Sequence, residues 1–318
     1  MGYFRDTIKG ISWMGALRVV TRALAILKIA ITARILSPSQ FGLYGIALLV
    51  LGFLEVLTET GINVFLIQEK DKIYEYLNSA WVVSIIRGFL IAALIIASSP
   101  LIVSFFSSSG ASNLLYLVAL VAVIRGFINP SEINFQKNLE FNKLFAFNSF
   151  LFLVDTAVAI VLAYVSKNEA SLILGMVASA SFEVILSFLI FKQRPKLVFE
   201  VDKIKRVIER GKWITGAGIL SYTFQNLDNV VVGKVLGISP LGLYQQAYKI
   251  STIPVTEAEQ IFNKVTFPIY VNISLERERL RKAFLRTSLT IIGLVIPAGI
   301  LVFLFSREIV LVLLGERW

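Results

Sequence analysis

The sequence contains neither cysteine nor histidine in its 318 residues. Without thiol and imidazole groups the chain can form no disulfide and has no thiol nucleophile, no imidazole base and none of the usual nitrogen and sulfur ligands of zinc. Charged residues are also few, at 16%, whereas hydrophobic residues make up 56%. Because soluble domains carry about 25% charged residues, this composition predicts an integral membrane protein.

Motifs for nucleotide chemistry are absent as well. The chain has no Walker A sequence, no glycine-rich phosphate loop and no Asp-rich metal motif. We therefore expect no enzyme activity, no cofactor and no metal. The net charge of +10 would suggest nucleic acid as the partner of a soluble protein. The basic residues lie mainly between hydrophobic runs, however, so nucleic acid is not an expected partner here.

Nine hydrophobic runs are long enough to cross the hydrocarbon core of a bilayer, which takes about 20 helical residues. They cover residues 11–36, 41–67, 79–106, 113–135, 144–165, 171–191, 213–236, 241–267 and 284–305. The first segment lacks the small-residue cleavage site of a secretory signal, so the first run is expected to act as its own insertion signal. The sequence thus predicts an all-α, polytopic helical membrane protein.

The connections between these runs alternate in charge. Those after even-numbered runs, together with the N-terminus, carry nineteen Lys and Arg residues, and those after odd-numbered runs carry four. Because basic loops stay on the cytoplasmic side, we expect a multi-pass protein of the plasma (inner) membrane with a cytoplasmic N-terminus. In the longest basic connection, 192–212, hydrophobic residues at helical spacing over 201–209 predict a surface amphipathic helix.

Two segments 200 residues apart, Ala33–Tyr44 (ARILSPSQFGLY) and Gly233–Tyr244 (GKVLGISPLGLY), align without gaps. Eight identities link positions 13 to 47 with their counterparts, among them Trp13 with Trp213 and Gly42 with Gly242. Chance likeness between hydrophobic helices explains shared leucines, but it does not easily explain a shared turn, Trp and Gly-Leu-Tyr in one register. The pattern therefore indicates an internal duplication.

The duplication predicts two pseudo-symmetric six-helix lobes. Residues 1–200 would form the N-terminal lobe, and residues 201–318 the first half of the C-terminal lobe, with the amphipathic helix and three spans. An even number of helices in each repeat makes the repeats parallel. Since only three spans follow residue 200, we expect a C-terminally truncated chain, with about three or more further helices beyond residue 318.

Four arginines lie inside hydrophobic runs, near their predicted cytoplasmic ends. A charge at the centre of a membrane helix costs about 2.5–3.5 kcal/mol on insertion scales, so each should face protein, a partner or water. Guanidinium groups bind phosphate through paired hydrogen bonds, so the four together would suit a phosphate or diphosphate. The alternatives are snorkelling to lipid headgroups for the first two and internal ion pairs for the last two. The four residues are Arg18, Arg22, Arg87 and Arg125.

Further ionisable residues within the runs are interpreted as cavity or coupling residues. They are Lys28, Glu55, Glu59, Asp155, Glu183, Asp228, Lys249, Glu257 and Glu259. Glu55, Glu59 and Asn63 recur every four residues and predict one polar stripe on the second helix, suited to ion coupling or sugar binding. The alternative is that its carboxylates neutralise nearby basic residues, among Arg22, Lys28 and Arg87.

Three further expectations concern single positions. Asp155 and Glu183, near the middle of their runs, could pair with Arg125 or relay protons. Lys28 and Asp228 occupy equivalent positions of the duplication and carry opposite charges, which predicts an ion pair between the two lobes. Proline in the eighth run, at position 254, removes a backbone hydrogen bond and predicts a kink.

Several segments together resemble one known family. They are ARILSPSQFGLYGIA (33–47), NLDNVVVGKVLGISPLGLYQQAYKI (226–250), NKVTFPIY (263–270) and LLGERW (313–318). They look like the Wzx-type polysaccharide flippases of the MOP exporter superfamily. The likeness is strongest over Asp228–Tyr244, with its Asp, aliphatic run, Gly-Lys, Leu-Gly and Leu-Gly-Leu-Tyr.

This resemblance implies a V-shaped bundle that flips undecaprenyl-diphosphate-linked oligosaccharide from the cytoplasmic to the outer leaflet by alternating access, for lipopolysaccharide or exopolysaccharide biosynthesis. Implied partners are the lipid-linked oligosaccharide, membrane lipid and other polysaccharide-assembly membrane proteins. The alternatives are a drug/cation antiporter of the same superfamily, a membrane-embedded polysaccharide polymerase or ligase, and a structural subunit. The basic residues disfavour the antiporter, and the short outer connections disfavour the polymerase or ligase. The many intramembrane charges disfavour a structural subunit.

The orientation is testable because the chain has no cysteine of its own. Single cysteines replace Lys203, expected inside, and Ser109, expected outside. An impermeant thiol reagent added to intact cells should label the cysteine at 109 and leave the one at 203 unlabelled. The reverse labelling would overturn the orientation.

Overall fold

The computed structural model describes residues 2–59, 73–262, 266, 270, 273–274 and 276–318. This part of the chain is helical and contains no strand, which confirms the all-α prediction. Its α-helices in chain order are α1 Gly2–Ile35, α2 Pro38–Leu57, α3 Ile73–Phe106, α4 Ala111–Gly126, α5 Asn134–Lys137, α6 Phe141–Ser166, α7 Ala170–Ile190, α8 Val201–Val235, α9 Ile238–Ser251, α10 Ile253–Ile261, α11 Arg277–Leu304 and α12 Ser306–Leu313. A 3₁₀ helix, Pro130–Ile133, precedes α5.

Five helices in the described ranges are long and hydrophobic enough to cross a membrane: α2, α3, α6, α7 and α11. The count is six if α4 and the bent segment after it form one span. Helices α1 and α8, of 34 and 35 residues, are long enough but more highly charged. The protein is therefore an all-α, multi-pass membrane protein. The number of nine spans stays a prediction.

Helix α2 is shorter than the second hydrophobic run, which continues to residue 67. It begins with a capping box, in which Ser37 and Gln40 exchange hydrogen bonds, and it ends at Leu57. The Thr58 hydroxyl donates to the Leu54 carbonyl at 2.6 Å. Glu59 thus follows the helix, so the predicted helical stripe through it is wrong. The third stripe residue, at position 63, lies outside the described residues.

The fourth run, 113–135, is not one helix either. Helix α4 ends at Gly126, and the segment Pro130–Lys137 is bent from it by 70°. Asn129 caps that segment, since its side-chain oxygen accepts the Ser131 N–H at 3.0 Å. Proline has no backbone N–H to donate, and it disfavours helical geometry in the residue before it, so Pro130 starts a new turn.

Two predictions concern helices in the second half of the chain. Residues 201–209 are helical as predicted, but they form no separate helix, because Val201–Val235 is continuous. In the eighth run α9 ends at Ser251, and Pro254 lies in the first turn of α10. The size of the predicted kink at Pro254 stays a prediction. A proline in the first helical turn loses no hydrogen bond, which is why a new helix begins there.

The chain divides into two compact units, Met1–Gly242 and Leu243–Trp318. In the first, α3 packs on α4, α6 on α7, α1 on α6, α4 on α7, and α2 on α8. Its core is centred on α4, where Leu114, Leu115, Val118 and Val121 are at most 1% exposed. In the second unit, α11 packs on α10 and α12. The predicted division into lobes at residue 200 stays a prediction.

Candidate functional site

The tetrapeptide Ile-Arg-Gly-Phe occurs twice, at 86–89 in α3 and at 124–127 at the end of α4. Both glycines lie where the two helices cross. A Cβ on Gly88 would be 2.6 Å from the Ala122 carbonyl oxygen, and one on Gly126 would be 2.9 Å from that of Ser84. Any larger residue would push the helices apart, so the repeated glycine lets α3 and α4 touch at the arginines.

The residues beside these glycines are Arg87 and Arg125, and both line one cavity of about 310 Å³. The remaining lining residues come from α3, α7 and the bent segment after α4, and from Glu59. They are Glu59, Ser84, Ile128, Asn129, Pro130, Glu132, Ile133, Gln136 and Glu183. A smaller adjoining cavity of about 130 Å³ shares both arginines and adds Glu55.

Arg87 reaches from α3 to the C-terminal end of α2. Its Nη2 donates to the Glu55 backbone carbonyl at 2.6 Å and lies 3.5 Å from Glu59 Oε2. Its Nε donates to the Thr58 hydroxyl at 3.1 Å. The last carbonyls of a helix lack intrahelical partners and carry partial negative charge. Arg87 therefore caps α2 as well as pairing with a carboxylate.

Arg125 pairs with the side chain of Glu55, since its Nη1 donates to Glu55 Oε1 at 2.9 Å. Glu55 thus contacts both arginines, one through its backbone carbonyl and the other through its carboxylate. The two side chains of this ion pair remain 42% and 34% exposed. The internal ion pairs anticipated for Arg87 and Arg125 are confirmed, and Glu55 and Glu59 are their partners.

The Lys28 ammonium has a different partner from the predicted one. Its Nζ lies 2.8 Å from both carboxylate oxygens of Asp155, which joins α1 to α6. The expected pair of Lys28 with Asp228 is therefore wrong; Asp228 Oδ1 accepts from the backbone and side-chain nitrogens of Asn229. Equivalence in a duplication relates two positions by symmetry and does not bring them into contact.

The other predicted residues do not all meet at the cavity. Arg18 and Arg22 lie on α1, half-buried and exposed respectively, and are not among the described lining residues. Their part in a four-arginine site stays a prediction. Glu183 lines the cavity. In the second unit, α9 carries Lys249, which is exposed, and α10 carries the half-buried Glu257 and the exposed Glu259.

Sequence reasoning missed Glu132, which lines the cavity with Glu183. The predicted helix through 113–135 would have placed Glu132 on a straight span, whereas the bend after Gly126 turns its segment towards the cavity. The signal was the Asn-Pro pair at 129–130, which is typical of a turn. The repeated Ile-Arg-Gly-Phe was a second overlooked signal.

The fold and the cavity together define a class: a multi-pass, all-α membrane protein with paired charges around a cavity inside its helical bundle. A family model described as "Polysaccharide biosynthesis protein" matches residues 31–318. The chain belongs to this family. No solved structure matches the chain.

Curated relatives carry similar names. The lipopolysaccharide biosynthesis protein WzxC of Escherichia coli (strain K12) is 25% identical over all of this chain and 65% of its own length. An uncharacterized membrane protein of the Klebsiella pneumoniae cps region is 28% identical over 98% and 65%. The succinoglycan biosynthesis transport protein ExoT of Rhizobium meliloti (strain 1021) is 22% identical over 99% and 64%. The chain thus spans about 65% of the length of these relatives, and their names confirm the resemblance seen in the sequence.

The ion pair of Lys28 and Asp155, whose side chains are only 11% and 18% exposed, is expected to contribute to the free energy of unfolding. Removing one partner of a buried ion pair costs about 3–5 kcal/mol, because the other charge stays buried without compensation. We expect Lys28→Met to lower the free energy of unfolding by about that amount and Lys28→Met with Asp155→Leu to recover most of it. Denaturant titration in detergent micelles measures both. A double variant no more stable than the single one would contradict the pairing.

Proposed function

We propose that the protein is a transporter and not an enzyme, and that it moves an oligosaccharide linked to undecaprenyl diphosphate from the cytoplasmic to the outer leaflet of the plasma membrane by alternating access. One observation carries this proposal: two arginines from a repeated motif line one partly open cavity, and each is paired with a carboxylate. The proposed substrate carries a diphosphate, which guanidinium groups recognise well.

Exchange of anions explains how such a site would work. Before substrate arrives, Glu55 and Glu59 pair with Arg125 and Arg87, so the arginines need no external anion at membrane depth. A phosphate that displaces the carboxylate from a guanidinium replaces one charge-assisted hydrogen bond by another. Loss of the carboxylate bond offsets part of the gain from the phosphate bond, which suits a transporter because the substrate must also leave.

The names of the relatives support a polysaccharide substrate, since those from E. coli and R. meliloti are named for lipopolysaccharide and succinoglycan biosynthesis. We further propose a cytoplasmic N-terminus, phosphate contacts from Arg18 and Arg22 on α1, and contacts with other polysaccharide-assembly membrane proteins. The basic connections between the hydrophobic runs support this orientation.

A charge imbalance in the cavity favours a second candidate, the cation antiporter. Three carboxylates, those of Glu59, Glu132 and Glu183, line the cavity with two guanidiniums. With every group ionised the lining is negative and repels a diphosphate. Anion binding in this cavity therefore requires at least one carboxylate to be protonated, which would couple transport to a proton. In an antiporter the same carboxylates would bind the cation directly.

Arg125→Ala tests the phosphate site more specifically than Arg87→Ala does, because Arg87 also caps α2 and its loss would disturb that helix. One hydrogen bond to a charged group contributes about 1.5–3 kcal/mol, so its loss should lower the flipping rate of a lipid-diphosphate glycan in proteoliposomes at least tenfold. Arg279→Ala, at a side chain 67% exposed, is the control and should have no effect. Full activity of an Arg87→Ala, Arg125→Ala double variant would count against the site.

A second variant distinguishes a substrate contact of Arg125 from its ion pair with Glu55. Arg125→Ala with Glu55→Gln removes both charges of the pair. If Arg125 contacts the substrate, flipping stays at least tenfold low in the double variant. Recovery of wild-type flipping would mean that Arg125 only neutralises Glu55, and the phosphate site would be wrong.

Glutamine substitutions at the cavity carboxylates distinguish the two candidates. In a flippase, Glu132→Gln and Glu183→Gln remove negative charge, so diphosphate-glycan transport should persist at alkaline pH and depend less on pH. In a cation antiporter the same substitutions remove ligands and should abolish cation exchange. Glu140→Gln is the control, since Glu140 pairs with Lys143 outside the cavity. Transport assays across a pH series measure the difference.

A further inference from the structure

Asn129, at the bend after α4, is fully buried and forms hydrogen bonds through both its backbone and its side chain. Its backbone N–H donates to the Ser187 hydroxyl at 3.1 Å, and its backbone carbonyl accepts the Glu132 N–H at 3.2 Å. Its side-chain oxygen caps the bent segment, and its side-chain nitrogen donates to the Gln193 carbonyl at 2.8 Å. One residue therefore ties the bent segment to α7 and to the connection that follows α7.

The acceptor on α7 is held in place by its own helix. The Ser187 hydroxyl donates to the Val184 carbonyl at 2.7 Å, which leaves an oxygen lone pair for the Asn129 N–H. Ser187 is fully buried as well. Because a buried backbone N–H without a partner is costly, this contact fixes Asn129 against α7.

The contact also determines where two carboxylates lie. Glu183 precedes Ser187 by four residues, so the two side chains share one face of α7. Glu132 follows Asn129 by three residues, which is one turn of the 3₁₀ helix. Both carboxylates line the larger cavity. Each is therefore one helical turn away from the contact of Asn129 with Ser187.

Packing holds the other end of the bent segment. Phe135 is 3% exposed, and the centre of its ring lies 6.0 Å from that of Phe147 and 4.8 Å from that of Phe191. Glu132 thus lies between a hydrogen-bonded end at Asn129 and a packed end at Phe135. Loss of the hydrogen bonds at Asn129 should therefore turn the segment without detaching it.

We infer that Asn129 is a positioning residue of the cavity, which holds the Glu132 carboxylate beside that of Glu183. Asparagine suits this position because its side chain both accepts and donates hydrogen bonds. An ionised aspartate would still accept the Ser131 N–H but could not donate to the Gln193 carbonyl, and leucine could do neither.

The placement of Glu132 has a consequence for the proposed function, on which this step of the inference rests. The other charged groups that line the larger cavity are Glu59 at the end of α2, Arg87 on α3 and Arg125 on α4. Neighbouring carboxylates titrate together, and their coupling weakens with distance. Moving Glu132 away from Glu183 should therefore change how flipping depends on pH as well as how fast it is.

Crosslinking tests the placement without a transport assay. Because the chain has no cysteine, Glu132→Cys with Glu183→Cys introduces two thiols into one cavity. A short bifunctional thiosulfonate should link them in the purified full chain, and mass spectrometry of the digest detects the linked peptides. Asn129→Leu in the same protein should abolish most of this link. Asn148→Leu is the matched control, since Asn148 donates to a carbonyl of its own helix, and it should leave the link unchanged.

An unchanged link in Asn129→Leu would overturn the inference, as would no link while Asn129 is intact. If Asn129→Leu does not accumulate in the membrane, Ser187→Ala decides. That substitution removes one hydroxyl and leaves the Asn129 N–H without its acceptor on α7, so the link should weaken there too. An unchanged link in Ser187→Ala would then count against the positioning role.

Flipping rates over a pH series separate positioning from a general loss of structure. With both carboxylates in place, Asn129→Leu should shift the pH dependence, and Asn148→Leu should keep that of the unsubstituted protein. A loss by the same factor at every pH would mean that Asn129 only stabilises the fold, and the inference would be wrong. If the link depends on Asn129 but no lipid-diphosphate glycan is flipped, the positioning stands and the proposed function fails.

Discussion

The pairing of charges within a hydrocarbon environment is the constraint on which the rest of this structure depends. An unpaired charge there costs several kcal/mol, so each must find a partner or water. Arg125 pairs with Glu55, and Lys28 with Asp155. Each pair joins two different helices: α4 with α2, and α1 with α6. These ion pairs therefore also link the helices that carry them.

The two pairs differ in how far their side chains are exposed. Lys28 and Asp155 are 11% and 18% exposed, so a competing ion would have to enter a largely closed site. Arg125 and Glu55 are 42% and 34% exposed. An external anion can therefore reach Arg125 more easily than Lys28.

Close approach of helices at glycine is the second recurring device. Gly88 and Gly126 bring α3 against α4 where the arginines project, and Gly42 and Gly242 bring the two copies of the duplicated segment together. In membranes hydrophobic association between helices is weak, so backbone proximity at small residues contributes much of the packing. Glycine thus allows close helix contact beside the cavity and also at the starts of α2 and α9.

Local properties of the chain were enough to predict the all-α membrane fold, because the length of a hydrophobic run is a property of one segment. They were also enough to select Arg87, Arg125, Glu55 and Glu59 as charges needing partners. Which charges pair was decided by tertiary packing: Lys28 meets Asp155, 127 residues away, because α1 packs on α6. The bend after Gly126 likewise brings Glu132 to the cavity. The sequence shows which charges in hydrophobic segments need a partner. Only the packing of the helices decides which partner lies within ion-pair distance, because that distance depends on residues far apart in the chain.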